Sequence, residues 1–117
     1  MPIPDMIAHR GRGSGDPENV IPSLNNLPAW CKGVEVDVRA TSDDELVLMH
    51  DATVDRTTDG SGAVDEMTLA EIKELDAGGG AEVPTLAEYL AACEGKGFTW
   101  IFLNVKAFSA VADMVTV

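Results

Sequence analysis

A chain of 117 residues with 45% hydrophobic content is the size of one domain and apolar enough to build a core, which excludes intrinsic disorder. Its 20 acidic residues against 8 basic ones give a net charge of -12, which argues against nonspecific attraction to nucleic acid or to an anionic membrane surface. Any anionic ligand must therefore be met by positive charge gathered locally.

The first residues lack the basic and long apolar regions of a secretory leader, and no run of about 18 apolar residues is present to span a bilayer. A cytoplasmic location without stable membrane insertion is the expectation. Cys31 and Cys93 are too few and too far apart for a disulfide framework or a metal-type spacing, and read as reduced packing residues.

In chain order, Met6-Ile7-Ala8-His9 predicts a short buried strand with His9 at its carboxyl end. Arg10 to Pro17, rich in glycine, predicts a loop that uses positive φ. A short helix is expected to start within Glu18 to Leu24, where Pro22 suits the first turn and Pro28 limits the length. In the next run, Val34 to Arg39, strand alternation puts Glu35 and Asp37 on one face and Val34, Val36 and Val38 on the other.

Only the six residues from Ala40 to Glu45 separate that strand from Leu46 to Asp51, whereas a parallel crossover needs about a dozen. The two runs predict a hairpin turning near Ser42-Asp43-Asp44. It brings His50 back roughly opposite Glu35, so that an imidazole meets two carboxylates. Ala52 to Gly62 is a loop rich in Thr, Asp and Gly.

Thr68-Leu69-Ala70-Glu71 has the capping-box pattern, and Leu69, Ile72 and Leu75 predict a helical stripe ending at Gly78-Gly79-Gly80. Thr85-Leu86-Ala87-Glu88 opens a second helix, with Leu86, Tyr89, Leu90 and Cys93 on one face and an end near Gly95. Phe98 to Lys106 is nearly continuous apolar sequence, the pattern of a strand buried on both sides in a parallel sheet, with Asn104 and Lys106 sharing a face. Residues 107–117 read as the start of another helix.

This order is α/β alternation with polar residues gathered at strand carboxyl ends, where (β/α)8 barrels of the TIM type carry their active sites. A whole barrel takes about 250 residues, so the chain is expected to hold about the first three β/α units, with the β-hairpin as an insertion. The shortfall leaves an amino-terminal part of a longer protein, self-association of the chain, or a different architecture.

Three strand ends supply His9 and Arg10, then Glu35, Asp37 and His50, then Asn104 and Lys106. With these in view the chain resembles the amino-terminal half of the glycerophosphodiester phosphodiesterase family. The resemblance rests on His9-Arg10-Gly11, Pro17-Glu18-Asn19, Glu35-Val36-Asp37-Val38, His50-Asp51, Arg56-Thr57-Thr58-Asp59-Gly60 and Pro84-Thr85-Leu86, in order across nearly the whole sequence.

The resemblance implies one barrel domain, of which residues 1–117 are the amino-terminal part, splitting glycerophosphodiesters into sn-glycerol 3-phosphate and an alcohol in lipid and glycerol metabolism. It implies His9 and His50 as general acid and base, Glu35 and Asp37 as ligands of a divalent cation, Mg²⁺ or Ca²⁺, and Arg10 as a phosphate ligand. The family usually has Glu as a further metal ligand where this sequence has Asn104, whose carbonyl oxygen is still a ligand for a hard cation.

The chemistry supports these roles on its own terms. Histidine, with an ordinary pKa of about 6.5, serves either proton transfer near neutral pH, and a pair serves both. Arg10 and Lys106 beside a cation would offset the phosphate charge.

Plainer readings stand alongside. Glu35 and Asp37 also fit the solvated face of an edge strand, and Lys106 fits a salt bridge to either acid. Arg12, Asp51 and Arg56 fit supporting or loop positions, Asp43 to Glu45 an exposed turn, and Trp30, Trp100 and Phe102 the core. Two other functions are weighed: a related phospholipase acting on lysophospholipids or inositol lipids, and a nonenzymatic or inactive truncated relative binding a phosphorylated metabolite or a partner. An isolated fragment is also expected to associate with itself through uncovered apolar faces, as a homo-oligomer or an aggregate.

Overall fold

The computed structural model describes residues 7–13 and 15–106, and the helix expected beyond residue 106 lies outside them. The sheet is organised on β2 (Gly33–Ala40), whose Val34, Val36 and Val38 are buried on one face while the alternate residues Glu35, Asp37 and Arg39 face the other. β1 (Ile7–His9) runs parallel to its first half, placing His9 beside Glu35. β4 (Trp100–Val105) runs parallel along the opposite edge and places Asn104 beside Asp37. Gly33 permits this approach, because a Cβ there would collide with the Trp100 carbonyl oxygen.

β3 (Leu46–Leu48) returns antiparallel along the β1 edge of β2, pairing Val38 with Leu48. The hairpin therefore forms as expected. Its turn is closed by Thr41, whose N–H donates to the Glu45 carbonyl (2.9 Å) and whose hydroxyl accepts from the Glu45 N–H (3.0 Å). Alternation on β3 then divides the core. Leu48 joins β2, Tyr89 and Cys93 in one cluster, while Val47 joins Val54, Ile72 and Val83 in another, built from the 41–83 excursion together with Val20.

Both capping boxes form. Thr68 opens α1 (Leu69–Lys73) and Thr85 opens α2 (Leu86–Cys93), each hydroxyl accepting from the backbone N–H of the glutamate three residues on. α1 stops well short of the triple glycine. The Asp76 N–H is drawn to the Asp59 carboxylate (2.9 Å), and the Asp76 carboxylate turns the chain by accepting from the N–H groups of Gly78 and Gly80. On α2, Leu86, Tyr89 and Cys93 are buried, but Leu90 is exposed.

Two further expectations are corrected. The short helix expected within Glu18 to Leu24 forms at Pro22–Asn26 with Pro22 in its first turn, but as a 3-10 rather than an α-helix, and it starts only there because Asn19 has φ +57° and its N–H is taken by the Arg10 carbonyl. β4 is not buried on both sides. Only β2 flanks it among the described residues, leaving Trp100 37% and Phe102 50% exposed, and Trp30 is a surface residue rather than core. Among the described residues no helix is long and apolar enough to cross a membrane.

Candidate active site

The carboxyl end of β1 leads directly into a strained turn. Arg10 has φ +56°, a left-handed conformation that costs a non-glycine residue about 1–2 kcal/mol, and three backbone bonds hold it. The Arg10 N–H donates to Glu35 Oε1 (3.2 Å), the Arg10 carbonyl accepts from the Asn19 N–H (2.8 Å), and the Gly11 N–H donates to the Ala8 carbonyl (3.1 Å). Gly11 continues the turn at φ +63°, with its Cα against the hydroxyl of the buried Tyr89 from α2, where a Cβ would clash.

So braced, the Arg10 guanidinium is aimed by Glu18, which accepts from Nη1 at 3.2 and 3.3 Å. Its Nε is buried and has no partner among the described residues. A buried donor without a partner is costly, whereas the Arg10 side chain as a whole keeps 20% of its surface exposed, and that part is open to an anion.

His9 lies beside the same acid, with Nε2 3.7 Å from Glu35 Oε1, and its side chain is 73% exposed. Asp37, one strand repeat further on, has a side chain only 2% exposed. Asn19 holds it by donating Nδ2 to Oδ2 (3.1 Å) while accepting the Asp37 N–H on Oδ1 (3.2 Å). Lys106 stands 3.8 Å from the remaining oxygen, Oδ1, in the salt bridge that was its plainer reading. Asn104 is exposed next to Asp37 across the β2–β4 ladder.

His50 is placed differently from the expectation. The ladder ends at Leu48, so His50 leaves β3 instead of standing opposite Glu35 within it. The His50 carbonyl accepts from Arg39 Nε (3.1 Å) and Nη2 (2.8 Å), and Nδ1 lies 2.7 Å from Asp51 Oδ1. Its acidic partner is Asp51. Among the described residues no ion pair joins it to Glu35 or Asp37.

The site thus gathers His9, Arg10, Glu35, Asp37, Asn104 and Lys106 at adjoining strand ends, with His50 on the following loop. Glu18, Asn19 and Arg39 support it but were not singled out as site residues. Only the Pro17-Glu18-Asn19 motif signalled the first two, since nothing in periodicity distinguishes a buried glutamate from a loop one. Burial would raise the Glu18 carboxyl, but hydrogen bonds and charge from Arg56 and Arg10 outweigh it and hold the group below its ordinary value. Hydrogen bonds from Arg56 and His50 hold Asp51 low in the same way.

A parallel β/α sheet with a charged, anion-ready strand end is the arrangement of a (β/α)8 barrel's catalytic face. The chain belongs to the glycerophosphoryl diester phosphodiesterase family, whose sequence profile matches residues 9–115. It is 44% identical to a glycerophosphodiester phosphodiesterase of Caldanaerobacter subterraneus subsp. tengcongensis, over 91% of this chain and 46% of the relative. It is 39% identical to human glycerophosphodiester phosphodiesterase 1, over 86% of this chain and 33% of the relative.

A crystal structure of glycerophosphodiester phosphodiesterase from Agrobacterium tumefaciens superposes with a TM-score of 0.84 at 34% identity, covering 97% of this chain and 53% of that one. An Oleispira antarctica phosphodiesterase in complex with the product sn-glycerol-3-phosphate superposes with a TM-score of 0.85 at 32% identity, covering 97% and 52%. The fold is therefore part of a TIM-type barrel, and the chain spans from a third to about half the length of these relatives.

Proposed function

We propose that the chain carries the strand-end machinery of a glycerophosphodiester phosphodiesterase, a phosphoric diester hydrolase releasing sn-glycerol 3-phosphate and an alcohol. Residues 1–117 are then the amino-terminal part of one barrel domain. The observation that carries the proposal is Glu35 meeting both His9 Nε2 (3.7 Å) and the Arg10 N–H (3.2 Å) at one strand end, with Asp37, 3.8 Å from Lys106, on the same face of β2.

In this reading Arg10 donates to a nonbridging phosphate oxygen and Lys106 adds positive charge beside it. His9 and His50 divide the proton transfers, one removing a proton from the nucleophile and the other protonating the leaving alkoxide; the nucleophile is water, or the neighbouring glycerol hydroxyl with water then opening the cyclic phosphate it forms. Asp51 accepts a hydrogen bond from His50 Nδ1–H, which leaves Nε2 to exchange a proton with substrate.

The donor set also fits a divalent cation, Mg²⁺ or Ca²⁺. Glu35 Oε2 and Asp37 Oδ1 are hard oxygen ligands with no hydrogen-bond partner among the described residues, and Asn104 stands beside Asp37 to offer its amide oxygen. A bound cation would supply charge neutralisation on the phosphate as negative charge develops. The product complex of the Oleispira antarctica phosphodiesterase supports carrying the glycerol phosphate product over to this chain. The cytoplasm is the proposed location.

The test is release of sn-glycerol 3-phosphate from glycerophosphocholine by this chain and by the complete open reading frame that encodes it. Chelation is expected to abolish release, and Asn104→Glu to tighten cation binding. His9→Ala and His50→Ala are each expected to lower turnover by roughly 10²- to 10⁴-fold without changing the circular dichroism spectrum. Unchanged release after exhaustive chelation rejects the cation, and near-normal turnover in either histidine variant removes that residue from the mechanism. Release by neither sample favours the nonenzymatic alternative.

A further inference from the structure

We propose that Glu18 and Arg56 are positioning residues that brace the phosphate-facing Arg10 and the imidazole of His50 against each other through one continuous charged chain. The inference rests on the function proposed above and adds two residues to which it gives no role. Arg56 reaches in two directions. Its Nη1 and Nη2 donate to Glu18 Oε1 and Oε2, both at 2.9 Å, while Nε and Nη2 donate to Asp51 Oδ2 (2.9 Å) and Oδ1 (3.1 Å). Glu18 in turn accepts from Arg10, and Asp51 accepts from His50 Nδ1.

The sequence Arg10, Glu18, Arg56, Asp51 therefore alternates in charge from one side of the site to the other and ends on the His50 imidazole. Only the planar guanidinium fork clamps two carboxylates at once; an ammonium at position 56 would keep the charge and lose the geometry.

Stability alone does not account for this arrangement. The Glu18 half is partly buried and stabilises, but the Asp51 half lies in solvent: Arg56 is 48% and Asp51 29% exposed, and ion pairs that wet contribute little to folding. What the chain does fix is direction. Glu18 takes Nη1 of Arg10 and so orients the buried Nε, while Asp51 is an acceptor only, so the neutral His50 ring carries its proton on Nδ1 and its lone pair on Nε2. Loosening Arg56 frees Asp51 to rotate and lets the ring sample the other tautomer.

The experiment compares wild type, Arg56→Lys, Glu18→Gln and Asp51→Asn of the complete protein, using glycerophosphocholine kinetics and ¹⁵N shifts of the His50 imidazole. Arg56→Lys is expected to lower kcat by about 10- to 100-fold, the range for outer partners that orient a histidine, with KM changed less than twofold. Its His50 shifts should move from a single Nδ1–H tautomer towards a mixture, and adding Asp51→Asn should cost little more. Glu18→Gln, which also frees Arg10, should raise KM as well as lower kcat.

A wild type that hydrolyses nothing overturns the proposed function, and the tautomer shift then decides the inference alone. An active wild type whose Arg56→Lys form keeps its kcat and its tautomer overturns the inference. Should Glu18→Gln fail to fold, Arg56→Lys at the exposed end still decides.

Discussion

Arg10 and Asn19 both hold left-handed backbone, and each is fixed by the other: the Asn19 N–H closes on the Arg10 carbonyl while the Asn19 side chain closes on Asp37. Gly11 is the hinge of that construction, since left-handed φ and contact with Tyr89 together exclude a side chain. Gly11→Ala is expected to lower unfolding free energy by about 2–4 kcal/mol, from backbone strain plus overpacking, and urea denaturation measures it. Wild-type stability in that variant would show the turn to be soft. Acid acts on a neighbouring residue. Because the Glu18 carboxyl is depressed below 4.5 in the folded protein, its ionised form contributes stability above that value, and the contribution is lost as pH falls through the lower folded value. Urea midpoints should therefore drop below about pH 4.5 more steeply in wild type than in Glu18→Gln, and parallel curves would contradict the assignment. His9, Arg10, Glu35 and Asp37 were legible beforehand because alternation and strand ends reveal direction. Glu18 and Asn19 were not, because their roles arise from bonds to residues 8 to 38 positions away.

At the scale of elements, the features written in local sequence are the ones the fold keeps. Two Thr-x-x-Glu boxes start two helices where they should, and a short acidic turn closes the hairpin. Where a helix ends, or whether a strand is covered, depends on partners that periodicity does not name. α1 ends early because Asp76 finds Asp59, and β4 is apolar without being enclosed because its enclosure depends on more than the strand beside it. His50 shows the same effect. The hairpin was right in existence and sense, but the ladder stops two residues before it, and a loop closed by Arg39 and Asp51 sets its direction.

On the scale of the whole molecule, the chain covers about half the length of the solved barrels it resembles, and its sheet presents Trp100, Ile101 and Phe102 to solvent. An apolar strip of this kind favours contact with another copy, but each copy brings a net charge of -12. Two such polyanions repel over roughly 10 Å at 0.1 M salt and over about 3 Å at 1 M. Ionic strength should thus act as the throttle on self-association. Sedimentation velocity is expected to show larger species gaining ground as sodium chloride is raised, and a distribution indifferent to salt would mean that the strip does not mediate encounters between copies.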